Sequence, residues 1–179
     1  VIVLPNHANV VFAANQAVGL ARATLHVVAS RSAVQGVAAA LVFDHERQVA
    51  ENVRVMADAL AHVRTVEVTM AAASRTVNGV AVAEGQPIAL VDGELVAAAA
   101  TALDALVAGV LRAAAAGASL VTLYGGAGCS GDELAAGRAE VSRALPDAEV
   151  ETIDGGQQLY NFIASVEAST ALRPPSTSL

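Results

Sequence analysis

The chain has 179 residues, 55% of them hydrophobic and 15% charged, which suits one domain with an ample core and excludes wholesale disorder. Its formal net charge is −7 and it contains no lysine, all ten basic residues being arginine. A phosphate-cradling P-loop lysine, a Schiff-base lysine and a polylysine patch are therefore excluded, and the acidity argues against nucleic acid as a partner. It fits instead a neutral ligand or a partner with a basic patch.

In chain order, Val1–Leu4 is a short apolar run ended by Pro5, which reads as a strand buried on both faces. Residues 8–21 read as a helix, 25–29 as a second strand and 34–42 as a short helix. Val49, Val53, Ala57 and Leu60 recur at helical spacing, giving an amphipathic helix over 47–61. Val66, Val68 and Met70 then alternate with Glu67 and Thr69, the period of a half-buried strand. Asn78-Gly79 and Asp92-Gly93 between apolar runs are hairpin signals, so residues 64–98 are expected to form an antiparallel meander.

Leu95–Leu123 is nearly all apolar but contains Asp104 and Arg112, each costing about 2.5–3.5 kcal/mol at a bilayer centre. It reads as a buried helix over 99–116 and a strand over 120–124, with no membrane span. A helix over 132–145, a strand over 150–153 and a last helix over 158–166 complete the pattern. The sequence thus predicts a single α/β domain over 1–167. Its sheet is expected to be mostly parallel and flanked by helices, with the meander inserted and 168–179 a disordered tail. Val1 lies inside an apolar run, so the chain is expected to be a piece of a longer one. The single cysteine, Cys129, cannot form an internal disulfide and fits a reducing, cytoplasmic setting.

Four loops follow predicted strands: Pro5-Asn6-His7-Ala8-Asn9, Ser30-Arg31-Ser32, Tyr124-Gly125-Gly126 and Asp154-Gly155-Gly156-Gln157. On parallel strands they would gather along one edge of a sheet, where open α/β sheets place binding crevices. Each polar residue there also has a plainer role. Asn6 can cap the first helix, Ser32 with Gln35 forms a capping-box pattern, and Asp154 can cap the last helix with Gln157 reaching back. Gly126-Ala127-Gly128-Cys129-Ser130-Gly131 matches a dinucleotide-binding pattern, but it follows the penultimate strand, and Ser130-Gly131-Asp132-Glu133 is a capping box. Ser130 lacks the flanking glycine of a nucleophile elbow, and the four histidines show no metal-ligand spacing.

Several of these segments resemble one family. Leu4-Pro5-Asn6-His7-Ala8-Asn9 is similar to the LPN-x-x-N opening of the C-terminal domain of dihydroxyacetone-kinase-like proteins, the kinase subunit of bacterial fatty acid kinases, for which an older label is Dak phosphatase. Asp154-Gly155-Gly156-Gln157-Gln158-Leu159-Tyr160 resembles its closing GGQ-P-L-Y segment, Gln35-Gly36 its PQG-x-A-A-L segment, and Leu123-Tyr124-Gly125 its strand-ending LYG. Val34 and Gln158 stand where the family has proline. The resemblance implies a DegV-like fold and a non-catalytic domain that docks a DegV-type fatty-acid-binding protein. An upstream domain, not in this chain, would bind ATP and magnesium and phosphorylate the fatty acid for lipid metabolism, and the full-length protein could be a homodimer. No cofactor or metal is expected in this domain. Asn6, His7, Asn9, Gln35, Gly36, Tyr124, Gly125, Gly155, Gly156 and Gln157 are the expected partner- or ligand-binding residues. The alternatives are a domain that holds an acyl chain or small molecule itself, a phosphatase-like hydrolase using Ser130 or His7, and a dinucleotide enzyme.

Overall fold

A computed structural model describes residues 1–77 and 79–168. Two compact units are distinguished, Val1–Val63 and a second from Arg64 onward. Most of the expected 168–179 tail lies outside the described residues.

In the first unit, β1 (Ile2–Val3) pairs in parallel with β2 (His26–Val27), Ile2 opposite His26 and Val3 opposite Val27. Three helices accompany them: α1 (Ala8–Val18), α2 (Ala33–Leu41) and α3 (Val49–Leu60). The core is small. Val28, Ala39 and Met56 are buried, with Ile2, Leu4, Val53 and Leu60 packed around them. Helix α1 buries no residue, and Phe12 (73% exposed) and nearby Leu20 (87%) face solvent.

The second unit holds a six-stranded sheet in the order β7-β6-β3-β10-β8-β9. Its strands are β3 (Val63–Met70), β6 (Pro87–Val91), β7 (Glu94–Ala98), β8 (Leu120–Gly125), β9 (Glu149–Asp154) and β10 (Phe162–Glu167). A separate hairpin pairs β4 (Arg75–Val77) with β5 (Val80–Val82). The meander is as expected: β3 pairs antiparallel with β6, and β6 with β7. At its second turn Asp92 and Gly93 both have positive φ (51° and 85°), as a primed hairpin turn requires. Asp92 also accepts a hydrogen bond from the Thr65 backbone N–H at 2.8 Å and pairs with Arg64, tying the turn to β3.

Helices α4 (Ala102–Ala113) and α5 (Gly131–Ala144) contribute to the core of this unit. Leu106 and Val110 from α4 and Val141 from α5 meet Val66, Val68, Val121, Leu123, Ala164 and Val166 from the strands, all buried. The apolar stretch after Leu95 is thus an edge strand, a twelve-residue buried helix and a strand. Among the described residues no helix is long and apolar enough to cross a membrane.

Three expectations are corrected. The sheet is mixed, not mostly parallel: β8 pairs in parallel with β9, while β8–β10, β3–β6 and β6–β7 are antiparallel. The last element is a strand, not a helix over 158–166, because Phe162–Glu167 is buried along almost its whole length between β3 and β8. Phe162-Ile163-Ala164-Ser165-Val166-Glu167 shows no strict two-residue alternation, so its pattern does not separate a buried strand from a buried helix. Finally, β1 and β2 form their own small sheet, so the loops after them and those after β8 and β9 do not share one sheet edge.

Candidate functional site

The expected site residues form two separate clusters, one in each unit. In the first, Asn6 turns the chain between β1 and α1 with a left-handed backbone (φ 56°), a conformation asparagine tolerates better than most residues. Its Oδ1 accepts a hydrogen bond from the fully buried Ser30 hydroxyl at 2.7 Å, and its backbone N–H donates to the same Ser30 oxygen at 3.0 Å. The side chain lies directly on α2 at Gly36, where any Cβ would come within 2.0 Å of Asn6 Oδ1. Asn6, Ser30 and Gly36 therefore make a knot that clamps the loop after β1 to the loop after β2 and to the first turns of α2.

Asn6 is not the helix cap. That position belongs to His7, whose Nδ1 accepts from the Asn9 backbone N–H at 3.2 Å. Ser32 caps α2 as expected, accepting from the Gln35 N–H at 3.2 Å. The Gln35 side chain reaches one residue further back than a capping box, to the Arg31 N–H at 2.8 Å.

In the second cluster, the chain leaves β9 and folds across the end of β8. The Gly125 carbonyl accepts from the N–H groups of both Gly155 (2.9 Å) and Gly156 (3.0 Å). Gln157 Nε2 donates to the Tyr124 carbonyl at 2.8 Å, and the Gln157 carbonyl accepts from Ala127 N–H at 2.9 Å. Gly156 has φ 63°, and a Cβ on Gly126 would stand 2.0 Å from the Tyr160 carbonyl oxygen. With no final helix to cap, Asp154 and Gln157 do not serve as its cap. Gln157 instead closes the sheet end. The Gly126–Gly131 loop, which matches a dinucleotide pattern, needs its first glycine for this crossing. At its end Ser130 and Glu133 form the full capping box of α5. The two hydrogen bonds from Ser130 hold the Glu133 carboxyl below its usual range.

Electrostatically β8 and the segments beside it lie in an acidic setting. Burial raises the Tyr124 phenol above its ordinary pKa, and the charges of Glu167 and Glu151 add to the rise. Burial also raises the Cys129 thiol, helped by Glu133 and Asp154. Tyr160 is raised by burial and by Glu67, which also accepts its hydrogen bond. At the other end of β10, opposite Leu120, the Glu167 carboxyl is raised by burial, a hydrogen bond from Ser165 opposing and the Glu151 charge reinforcing. Among the described residues no group of three or more metal-ligating side chains is gathered.

The structure thus brings Asn6 and Gly36 together, with His7, Asn9 and Gln35 in the neighbouring caps, and separately Tyr124, Gly125, Gly155, Gly156 and Gln157. In both clusters the polar groups bond largely to one another. The sequence reading missed Ser30 as the buried partner of Asn6. It also missed Ile153 (44% exposed) and Leu159 (79% exposed), apolar side chains left in water beside the second cluster.

A DegV family protein from Corynebacterium glutamicum superposes with a TM-score of 0.64, at 14% identity, over 94% of this chain and 75% of that one. The Streptococcus pneumoniae fatty acid kinase B3 protein, solved loaded with linoleic acid, gives 0.57 at 10% identity over 93% of this chain and 70% of that one. The fold is therefore DegV-like. In sequence, the FakA-like C-terminal family, named for a fatty acid kinase, matches residues 1–167, and the chain belongs to that family. Protein YloV of Bacillus subtilis is 26% identical over 167 residues, and an uncharacterised protein of Staphylococcus epidermidis is 25% identical over 166. The chain spans 30% of the length of each of these relatives and is matched over 93% of its own.

Proposed function

We propose that this chain is the partner-docking, non-catalytic C-terminal domain of a fatty acid kinase. It would dock a DegV-type protein carrying a fatty acid, so that an upstream kinase domain can phosphorylate the bound acid to an acyl phosphate. The observation that carries this reading is a coincidence of sequence and shape. A domain of the FakA-like family has the fold of proteins solved with fatty acids in them. Such a likeness suits pairing of related surfaces between kinase and carrier. ATP and magnesium would belong to the upstream part, and the reaction to the cytoplasm. The residues seen here contribute a scaffold: two internally bonded clusters fix loops at strand ends.

The test is reconstitution. The full-length protein, ATP, magnesium and the lipid-loaded carrier should form acyl phosphate, and a full-length protein lacking residues 1–167 should lose most of that activity when the carrier is dilute. Undiminished activity of the truncated enzyme at dilute carrier would refute docking by this domain.

One observation favours a second reading, in which the domain itself holds an acyl chain or other apolar small molecule. The first unit contains an apolar cavity of about 420 Å³, lined by Leu4, Ala40, Phe43, Val49 and Met56 among others. Organic extraction of the purified protein followed by mass spectrometry distinguishes the two. A stoichiometric lipid supports the second reading, and its absence refutes it.

A further inference from the structure

The charge of this chain is unevenly spread. Residues 1–63 contain four arginines and four carboxylates, whereas residues 64–168 contain five arginines and thirteen carboxylates. Nearly all the acidity therefore lies on the second unit. Part of it is concentrated along β9, an edge strand with Glu149, Glu151, Ile153 and Asp154 all exposed. Among the described residues, none of these three carboxylates takes part in an ion pair.

The chain that leaves β9 carries Leu159 into solvent, 79% exposed. A lone exposed leucine is ordinary on a protein surface. This one is set apart by how firmly its backbone is held. Its own carbonyl accepts from Thr69 Oγ1 at 2.7 Å. Two residues before it, Gln157 is bonded to Tyr124 and Ala127, and two residues after it, the Asn161 N–H donates to the Val68 carbonyl at 2.8 Å. An apolar side chain presented from a fixed backbone loses little freedom on binding, which is the property of an interface anchor. Ile153, 44% exposed at the outer end of β9, supplies a second apolar contact on the same strand-end rim.

We propose that this rim, formed by Glu151, Ile153, Asp154 and Leu159, is the face on which the carrier protein docks. The carrier would present arginines and lysines around an apolar recess that takes Leu159. The negative sign of the rim turns away an anionic membrane and nucleic acid, and an opposed basic surface speeds encounter and sets orientation. The proposal rests on the docking reading above and moves its site from the internally bonded residues to the exposed ones beside them.

Binding of the full-length protein to immobilised, lipid-loaded carrier tests it by interferometry at low and moderate salt. Leu159→Asp and Glu151→Arg should each weaken binding by about tenfold or more, and Glu151→Arg should also reduce the salt dependence. Glu94→Arg on the opposite edge strand β7, and Phe12→Ser on α1 of the first unit, should stay within about twofold of the parent. Circular dichroism confirms that each variant is folded. If the parent binds and both rim variants bind equally well, the rim is overturned while docking stands. Loss with Phe12→Ser alone would move the face to the first unit and also overturn the rim. If the parent does not bind the carrier, the docking reading falls and the rim with it.

Discussion

Replacing Gly36 with alanine tests whether the Asn6 knot holds the first unit together. The new Cβ would lie 2.0 Å from Asn6 Oδ1, 2.6 Å from its Cγ and 2.7 Å from its Nδ2, so the asparagine must leave its place. Doing so strips the fully buried Ser30 hydroxyl of the acceptor for its proton, leaving only the Asn6 backbone N–H as a donor to its oxygen. A buried hydroxyl proton left without an acceptor costs about 1–3 kcal/mol, and displacing a well-packed loop adds about 1–3 kcal/mol. Alanine in mid-helix returns about 1 kcal/mol relative to glycine. The expected net loss is about 3 kcal/mol, within a range of about 1–5 kcal/mol. Urea unfolding followed by far-ultraviolet circular dichroism measures it. Asn6→Gly removes the clashing side chain and the left-handed strain together, so the double variant Asn6→Gly/Gly36→Ala should be more stable than the two single losses predict. Gly131→Ala, where an added Cβ meets nothing within 4 Å, is the control and should cost nothing. A Gly36→Ala protein as stable as the parent, with effects that simply add to those of Asn6→Gly, would refute the knot.

Three further outcomes follow from the second unit. Gly126→Ala should cost about 3 kcal/mol or more, since its Cβ meets the Tyr160 backbone carbonyl; Gly155→Ala should cost less, about 1–2 kcal/mol, since the nearest atom is the Gln157 side-chain oxygen, which can move at the expense of that side chain's hydrogen bond to Tyr124. Equal losses in thermal unfolding would contradict that order. Because folding raises the Glu167 carboxyl, the native state holds more protons than the unfolded chain between the ordinary value near 4.5 and the raised one, and stability falls as pH climbs through that window. Glu167→Gln should therefore be more stable than the parent at neutral pH, with the advantage vanishing below about pH 4; a variant that is less stable at neutral pH would show the charge to be favourable in place. The raised Cys129 thiol should react with iodoacetamide at neutral pH more slowly than in the urea-unfolded chain, and Glu133→Gln should quicken it. Faster reaction in the folded protein would contradict this account of its surroundings.

Much of the secondary structure was legible because it rests on local signals. The Asp92-Gly93 hairpin, the Ser130–Glu133 capping box and the amphipathic pattern of α3 each follow from residues a few positions apart, and the structure contains all three. What was not legible depends on distant partners. Phe162–Glu167 is a strand because β3 and β8, both remote from it along the chain, flank it in the sheet. Asn6 has the composition of a helix cap, yet the buried Ser30 hydroxyl and the bare backbone of Gly36 draw its side chain elsewhere. The family-like segments were picked out by their resemblance, and the structure shows what their backbone does. Gly-Gly-Gln is needed to cross the end of β8, and its hydrogen bonds are largely spent on that crossing. Leu159, in the same segment, gives no signal in sequence because exposure and a fixed backbone are both tertiary properties.

The central claim is that this domain docks a fatty-acid carrier, and calorimetric titration of the full-length protein into a purified, lipid-loaded DegV-type protein from the same organism tests it most directly. The account predicts saturable binding that weakens as salt is raised and that is lost when residues 1–167 are removed. Binding that survives that deletion unchanged, or no binding between two folded proteins, would contradict it.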